Sequence, residues 1–333
     1  MLNRRDFVRT SLAATAGCGL IDTCNAQQPV PVKQLPAMQF PAKQPPAKQL
    51  PSKQSVRFSL DEAKRTIKLL EPLHEHKKPP QPGDWLEVHG KDKHEQGQTF
   101  DEYVRGRKRT VEQFSKLYLL PLGTFGDVEQ KMIDSVVEAM TCFFGLPTVQ
   151  LKADPLAKLP GFAERIGGAG QRQLLSLHLI DKVLPPKLPR DAAALLGLTN
   201  VDLWPGEGWN FVFGQASLGT RVGVWSTARY GNSAGTEGER KLFFLRLLKV
   251  ALHETGHMFG IPHCAAYECG MNGSNSLPES DRHVLEFCPE CQAKLWWTND
   301  YQPKKRCAAM LEYCKKAGLE EEAKYYTGLT AVL

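Results

Sequence analysis

No sign of charge dominates this chain once its first 57 residues are set aside. Those residues carry eight basic groups (Arg4, Arg5, Arg9, Lys33, Lys43, Lys48, Lys53, Arg57) and two acidic ones, Asp6 and Asp22. The rest holds 34 of the 42 Lys and Arg and 34 of the 36 Asp and Glu, so the net charge of +6 is a property of the N-terminus. A neutral folded part offers no basic field for nucleic acid or anionic lipid, which excludes nucleic acid as a main partner. Long apolar runs are lacking too. Ser11 to Ile21 is weakly apolar and alanine-rich, well short of the roughly 20 residues a membrane-spanning helix needs. Cysteine is present nine times, but four of the nine sit in a metal-type pattern, which argues against a disulfide framework.

The N-terminus has a different kind of signal. Arg4-Arg5-Asp6-Phe7-Val8 ahead of that weak apolar run reads as a twin-arginine export signal over residues 1–26. The alternative is a frayed basic terminus. Export would end in a periplasmic, secreted or lipid-anchored protein, with cleavage near Ala26 or lipid attachment at Cys18 and membrane tethering through that lipid. From Pro31 a pentad repeats five times, with Pro31, Pro36, Pro41, Pro46 and Pro51 in register. Proline at that spacing forbids helix interior and sheet. Residues 27–56 are therefore an extended linker, whose 25 pentad residues span at most about 80 Å at ~3.1 Å per residue.

Residues 57–115 form an extension without a clear role. Ser59 is placed to cap a helix to Leu70, His74–Lys93 is polar and proline-rich, and Phe100–Phe114 has a basic helical pattern. An inhibitory prosegment and a packing extension are both open, with packing preferred. Beyond it, strand patterns at 116–120 and 148–152 flank a helix capped by Asp127. That helix buries a stripe of Met132, Val136, Met140 and Phe143 and ends at Gly145. A second helix over 171–183, strands over 198–204, 209–216 and 222–227, and a long helix over 239–259 complete an α/β upper part. Residues 298–333 read as a helical tail that breaks at Gly318, with Trp296-Trp297 as its anchor on the core.

The long helix ends in His253-Glu254-Thr255-Gly256-His257, followed by Gly260 and His263. Histidines four apart share one helix face, where both imidazoles reach one metal ion. Gly260 permits the left-handed turn that ends a helix, and His263 then returns as a third ligand. Three protein ligands leave a zinc ion one open position, the arrangement of a catalytic site of metzincin type. Glu254 is not a ligand and is placed to act as base. Cys264 and Cys269, then Cys288 and Cys291, are two short pairs separated by a loop, a four-thiolate site with no open position. The expected cofactors are two zinc ions per chain, one catalytic and one structural.

This combination resembles the archaemetzincins, metallopeptidases with a second zinc behind the third histidine. The likeness extends through Met271-Asn272-Gly273-Ser274-Asn275, Glu279, Asp281 and Lys294-Leu295, which are similar to the eukaryotic-type branch, and upstream to Phe211–Ala216 and Ser226–Arg229. It covers residues 116–297. The resemblance implies Met271 as the Met-turn residue under the catalytic zinc. It also implies a metzincin-like fold: an upper mixed twisted sheet with two backing helices and the active-site helix, over a small lower subdomain organised by the cysteine zinc. Among residues 209–216 it implies an edge strand that pairs with extended substrate. No cysteine lies in 57–115 to occupy the zinc, so one common metzincin latency device is absent. The expected activity is hydrolysis of peptide bonds through a zinc-bound water with Glu254 as general base, on a peptide or protein substrate, by a monomer. The alternative is a non-catalytic zinc-stabilised binding protein with a vestigial site. His283, between the cysteine pairs, is read as solvated, with contact to zinc or substrate as the alternative.

Overall fold

The computed structural model describes residues 58–92, 95–106, 110, 113–156 and 158–333, with the backbone of Arg9–Ala13. Cys18, Ala26 and the proline pentads lie outside the described residues.

The sheet has nine strands: β1 (Arg9–Ala13), β2 (Lys116–Leu122), β3 (Thr148–Gln150), β4 (Glu164–Ile166), β5 (Arg172–Leu175), β6 (Ala192–Thr199), β7 (Asp202–Trp204), β8 (Val212–Ser217) and β9 (Val222–Ser226). Their order is β3-β2-β6-β9-β8-β7-β5-β4, with β1 beside β8. The β3-β2-β6-β9 half is parallel and β8 is antiparallel to β9, so the sheet is mixed, as expected. All eight residues of β6 are buried, which suits a central strand covered on both faces. Only its end had a strand signal, because an Ala-Ala-Ala start has little β-propensity of its own.

The helices are α1 (Leu60–Leu70), α2 (Trp85–His89), α3 (Phe100–Gly106), α4 (Asp127–Phe144), α5 (Ser176–His178), α6 (Glu237–Met258), α7 (Leu277–Arg282), α8 (Pro289–Asn299), α9 (Pro303–Lys316) and α10 (Glu320–Val332). Several expectations change. The strand expected over 198–204 is the end of β6 and the whole of β7, with Asn200 and Val201 between them. The helix expected over 171–183 is strand β5, paired parallel with β7, then α5 running into a π turn at Leu179–Val183. A short apolar run does not separate strand from helix by period, and here the sheet partner decides. The helix expected over 100–114 is described over Phe100–Gly106, and residues 107–109 and 111–112 lie outside the described residues. α4 begins with Gly126 rather than Asp127 at the N-cap and closes on Gly145 at φ +67, burying the anticipated stripe.

Ser59 caps α1 in a reciprocal box with Glu62. The core fills the space between the sheet, α4 and α6 and continues under the C-terminal helices. Trp296, fully buried, meets the ring of Phe58 edge-on at 6.0 Å, so the extension and the tail share one anchor. Arg306 of α9 is fully buried and grips Glu286 through two bonds of 2.9 and 2.7 Å. Its Nε donates to the carbonyl of Phe143 at 2.9 Å. A paired, fully hydrogen-bonded ion pair of this kind fixes one arrangement of the loop before α8. The tail is thus part of the wall of the lower subdomain.

Candidate metal centre

α6 starts at a capping box of Thr236 and Glu239 and carries His253 and His257 on one buried face, their Nε2 atoms 3.0 Å apart. The helix ends as the sequence predicts. Gly260 takes φ +77, its N–H reaches the carbonyl of His257 at 2.7 Å, and Ile261 N–H reaches that of Gly256 at 3.2 Å. The chain reverses and delivers His263 beside the other two, with ring centroids 5.3 Å from His253 and 4.9 Å from His257.

Each imidazole gives its Nδ1 hydrogen to an acceptor. His253 donates to the carbonyl of Gly270 (2.8 Å), His257 to that of Ile261 (2.7 Å) and His263 to a carboxylate oxygen of Glu95 (2.7 Å). These acceptors have no hydrogen to give, so all three rings are fixed as Nδ1–H tautomers with the Nε2 lone pair free. The three candidate ligand nitrogens lie within 4.8 Å of one another, and the buried Nε2 of His263 has no partner among the described residues. Burial keeps the two helix rings neutral, lowering His253 to a pKa of about 3 and pushing His257 well below the usual range. Neutral, inward-facing nitrogens fit a zinc ion.

Glu254 is 1% exposed, and its Oε2 has no partner among the described residues. Burial raises its pKa well above the carboxylate range. Its carboxylate lies against Gly214 of β8, where any Cβ would collide with it. Glycine at 214 is therefore required by the close approach of Glu254. Met271 is fully buried, and its Sδ abuts Gly256 between the two helix histidines.

Cys264, Cys269, Cys288 and Cys291 are all buried, with their sulfurs within 4.8 Å of one another. Cys264 and Cys288 are 3.7 Å apart at sulfur. That is far too long for a disulfide and matches the roughly 3.8 Å edge of a tetrahedron with metal–sulfur bonds of ~2.3 Å. Cys288 caps α8 and Cys291 lies in its first turn, where the helix dipole favours thiolate. Backbone N–H groups of Cys288 and Met271 donate to the Cys269 sulfur at 3.1 and 3.4 Å. Bonds from the other three thiols draw Cys264 well down, whereas burial pushes Cys269 and Cys288 well up. Four thiolates cannot coexist here without a cation to balance them, and this donor set fits zinc.

The two clusters share backbone. Gly270, the acceptor for His253, follows Cys269 directly, and Cys264 N–H donates to the carbonyl of Met271 at 2.9 Å. Other residues of the motif hold this region in place. Asp281 takes a two-pronged bond from Arg246 of α6 (2.9 and 2.5 Å), and Lys294 donates to the carbonyl of Gln98. His283 is half-buried and outside both metal clusters, and its Nδ1 meets the Ser274 hydroxyl at 3.0 Å. Cys307 and Cys314 are buried free thiols outside both clusters. Glu95 had no signal in the sequence, since a lone glutamate in a polar segment has no spacing that ties it to a histidine 168 positions on.

Comparison with known proteins points to one family. The model of peptidase family M54 matches residues 192–296. Archaemetzincin-2 of Pongo abelii is 32% identical over 267 residues, 70% of this chain and 72% of its own. Archaemetzincin of Pyrococcus horikoshii is 38% identical over 128 residues, 38% of this chain and 68% of its own. The solved archaemetzincin of Methanopyrus kandleri is 31% identical, covering 56% of this chain and 95% of its own, with a TM-score of 0.46. The chain belongs to the archaemetzincins, the zinc metallopeptidases of peptidase family M54.

Proposed function

We propose that His253, His257 and His263 hold the catalytic zinc, that the four cysteines hold a structural one, and that Glu254 is the general base in peptide-bond hydrolysis. The observation that carries this reading is the set of three Nδ1–H bonds, which leaves three Nε2 lone pairs converging beside an unpartnered carboxylate. Bound there, zinc would supply Lewis acidity, polarising a carbonyl and making water more acidic. Glu254 takes the proton of the attacking water and passes it to the leaving amine. Gly214 keeps β8 close enough to enclose that carboxylate. β8 lies between β9 and β7 and not at the outer edge of the sheet, but β7 meets it only at Val212, so the rest of that side offers the substrate strand. Arg9–Ala13 lies antiparallel along it, pairing Thr10 with Ala216 and Ser11 with Gln215, the place an extended peptide takes in strand addition. The test is cleavage of a mixed peptide library by the purified chain. Activity should vanish with a zinc chelator and return with zinc, and cleavage that persists without zinc would refute the reading.

Export follows from the same reading of the N-terminus. A four-thiolate site must be reduced to take up zinc, and a route that carries folded proteins allows loading before export. Removal of residues 1–26 would also clear β8 of its own β1. The substrate is a peptide or protein, and a lipid on Cys18 would tether the enzyme to a membrane. Arg4→Lys with Arg5→Lys should hold the protein inside the cell, folded and zinc-loaded, because a general secretory signal needs charge and not arginine itself. Normal export of that variant in cell fractions would contradict the twin-arginine route.

A further inference from the structure

The three histidines are not held in the same way. His253 and His257 stand on α6, and both donate to backbone carbonyls. His263 lies on an irregular segment, where no helix sets the direction of its side chain. Its Nδ1–H goes to Glu95, a residue of the N-terminal extension 168 positions away. Glu95 is 6% exposed, and the same oxygen accepts the indole N–H of Trp85 at 2.8 Å. The Trp85 ring meets the His263 ring edge-on at 4.9 Å.

The segment around Glu95 is tied to the region beyond Met271. Trp85 N–H donates to Glu279 Oε1 at 2.8 Å and Asn275 N–H to Oε2 of the same carboxylate at 2.6 Å. Asn275 reaches the carbonyl of Gly83, and Arg282 pairs with Asp84 at 2.7 Å. The buried Glu95 carboxylate accepts from both rings, and a carboxylate placed behind a ligating imidazole fixes the ring's orientation and raises the basicity of its metal-facing nitrogen.

We propose that Glu95 is the positioning residue of the catalytic zinc site, holding His263 in the tautomer and orientation that binds metal. The extension 57–115 is then a built-in part of the metal centre and not a detachable inhibitor. This rests on the three histidines being the zinc site.

The experiment measures zinc affinity at the histidines by competition with a chromophoric chelator, in the full chain with its cysteine zinc retained. Glu95→Gln keeps volume and one acceptor but removes the charge. It should weaken zinc at the histidines about 10-fold while the melting temperature stays at the parental value and the cysteine zinc remains. Glu95→Ala should weaken it further, within the ~10–100-fold expected for loss of such a partner. Parental zinc affinity in Glu95→Gln would overturn the proposal, leaving the zinc site itself intact. A Glu95→Gln chain that melts early and loses both ions would also overturn it, showing a packing role. A parental chain that binds no zinc at its histidines would instead remove the site reading on which the proposal stands.

Discussion

Glu254→Ala should lower kcat/KM for peptide hydrolysis by about 10²–10⁴-fold, the range that a positioned general base contributes. Both metal ions should stay bound, because the side chain is not among the converging ligand atoms. Stability should not suffer. The carboxylate is buried with one oxygen unpartnered, and removing such a group removes a desolvation penalty. A stable, zinc-loaded, inactive variant is the expected outcome, checked by steady-state kinetics with metal analysis on the same sample. Peptidase activity near the parental level would sink Glu254 as the base.

Cys288→Ser or Cys291→Ser should do more than remove one ion. A serine hydroxyl is a poor substitute for a thiolate, and zinc held by four cysteines contributes folding free energy directly, about 10–16 kcal/mol in small zinc peptides. The consequence for the histidines follows from the shared backbone. Gly270 accepts the bond that orients His253, and the Met271 carbonyl is held by Cys264 N–H. Gly270 N–H in turn donates to the carbonyl of Glu286, whose side chain is clamped by Arg306. Loss of the cysteine zinc should therefore loosen the loop that fixes His253, with loss of both ions or of activity and solubility together. A variant with parental melting temperature and full zinc at the histidines would show that the two centres are independent.

The histidine and cysteine clusters were legible in the sequence because their members are local. His253 and His257 are one helical turn apart, Gly260 supplies the left-handed turn that returns His263, and each cysteine pair is separated by only a few residues. Local spacing does not encode partners far along the chain. Glu95, Gly214 and Arg306 act across 168, 40 and 20 residues on His263, Glu254 and Glu286, and no pattern around them announces it. The sheet was half legible for the same reason. β8 and β9 have their own alternation and turn signals, whereas β6 is an alanine-rich run that becomes a strand because β2 and β9 pair with it on either side. The preferred packing reading of the extension fits α1, whose capping box was readable at Ser59. It did not anticipate that the same extension reaches His263 of the histidine cluster.

The measurement that tests the central claim most directly is zinc content per chain, with and without a chelator of moderate strength. Two zinc ions per chain are expected. One should exchange readily, taking peptidase activity with it and restoring it on return, and the other should resist until the protein unfolds. A fully folded chain that holds a single ion, bound only by Cys264, Cys269, Cys288 and Cys291, would contradict the account.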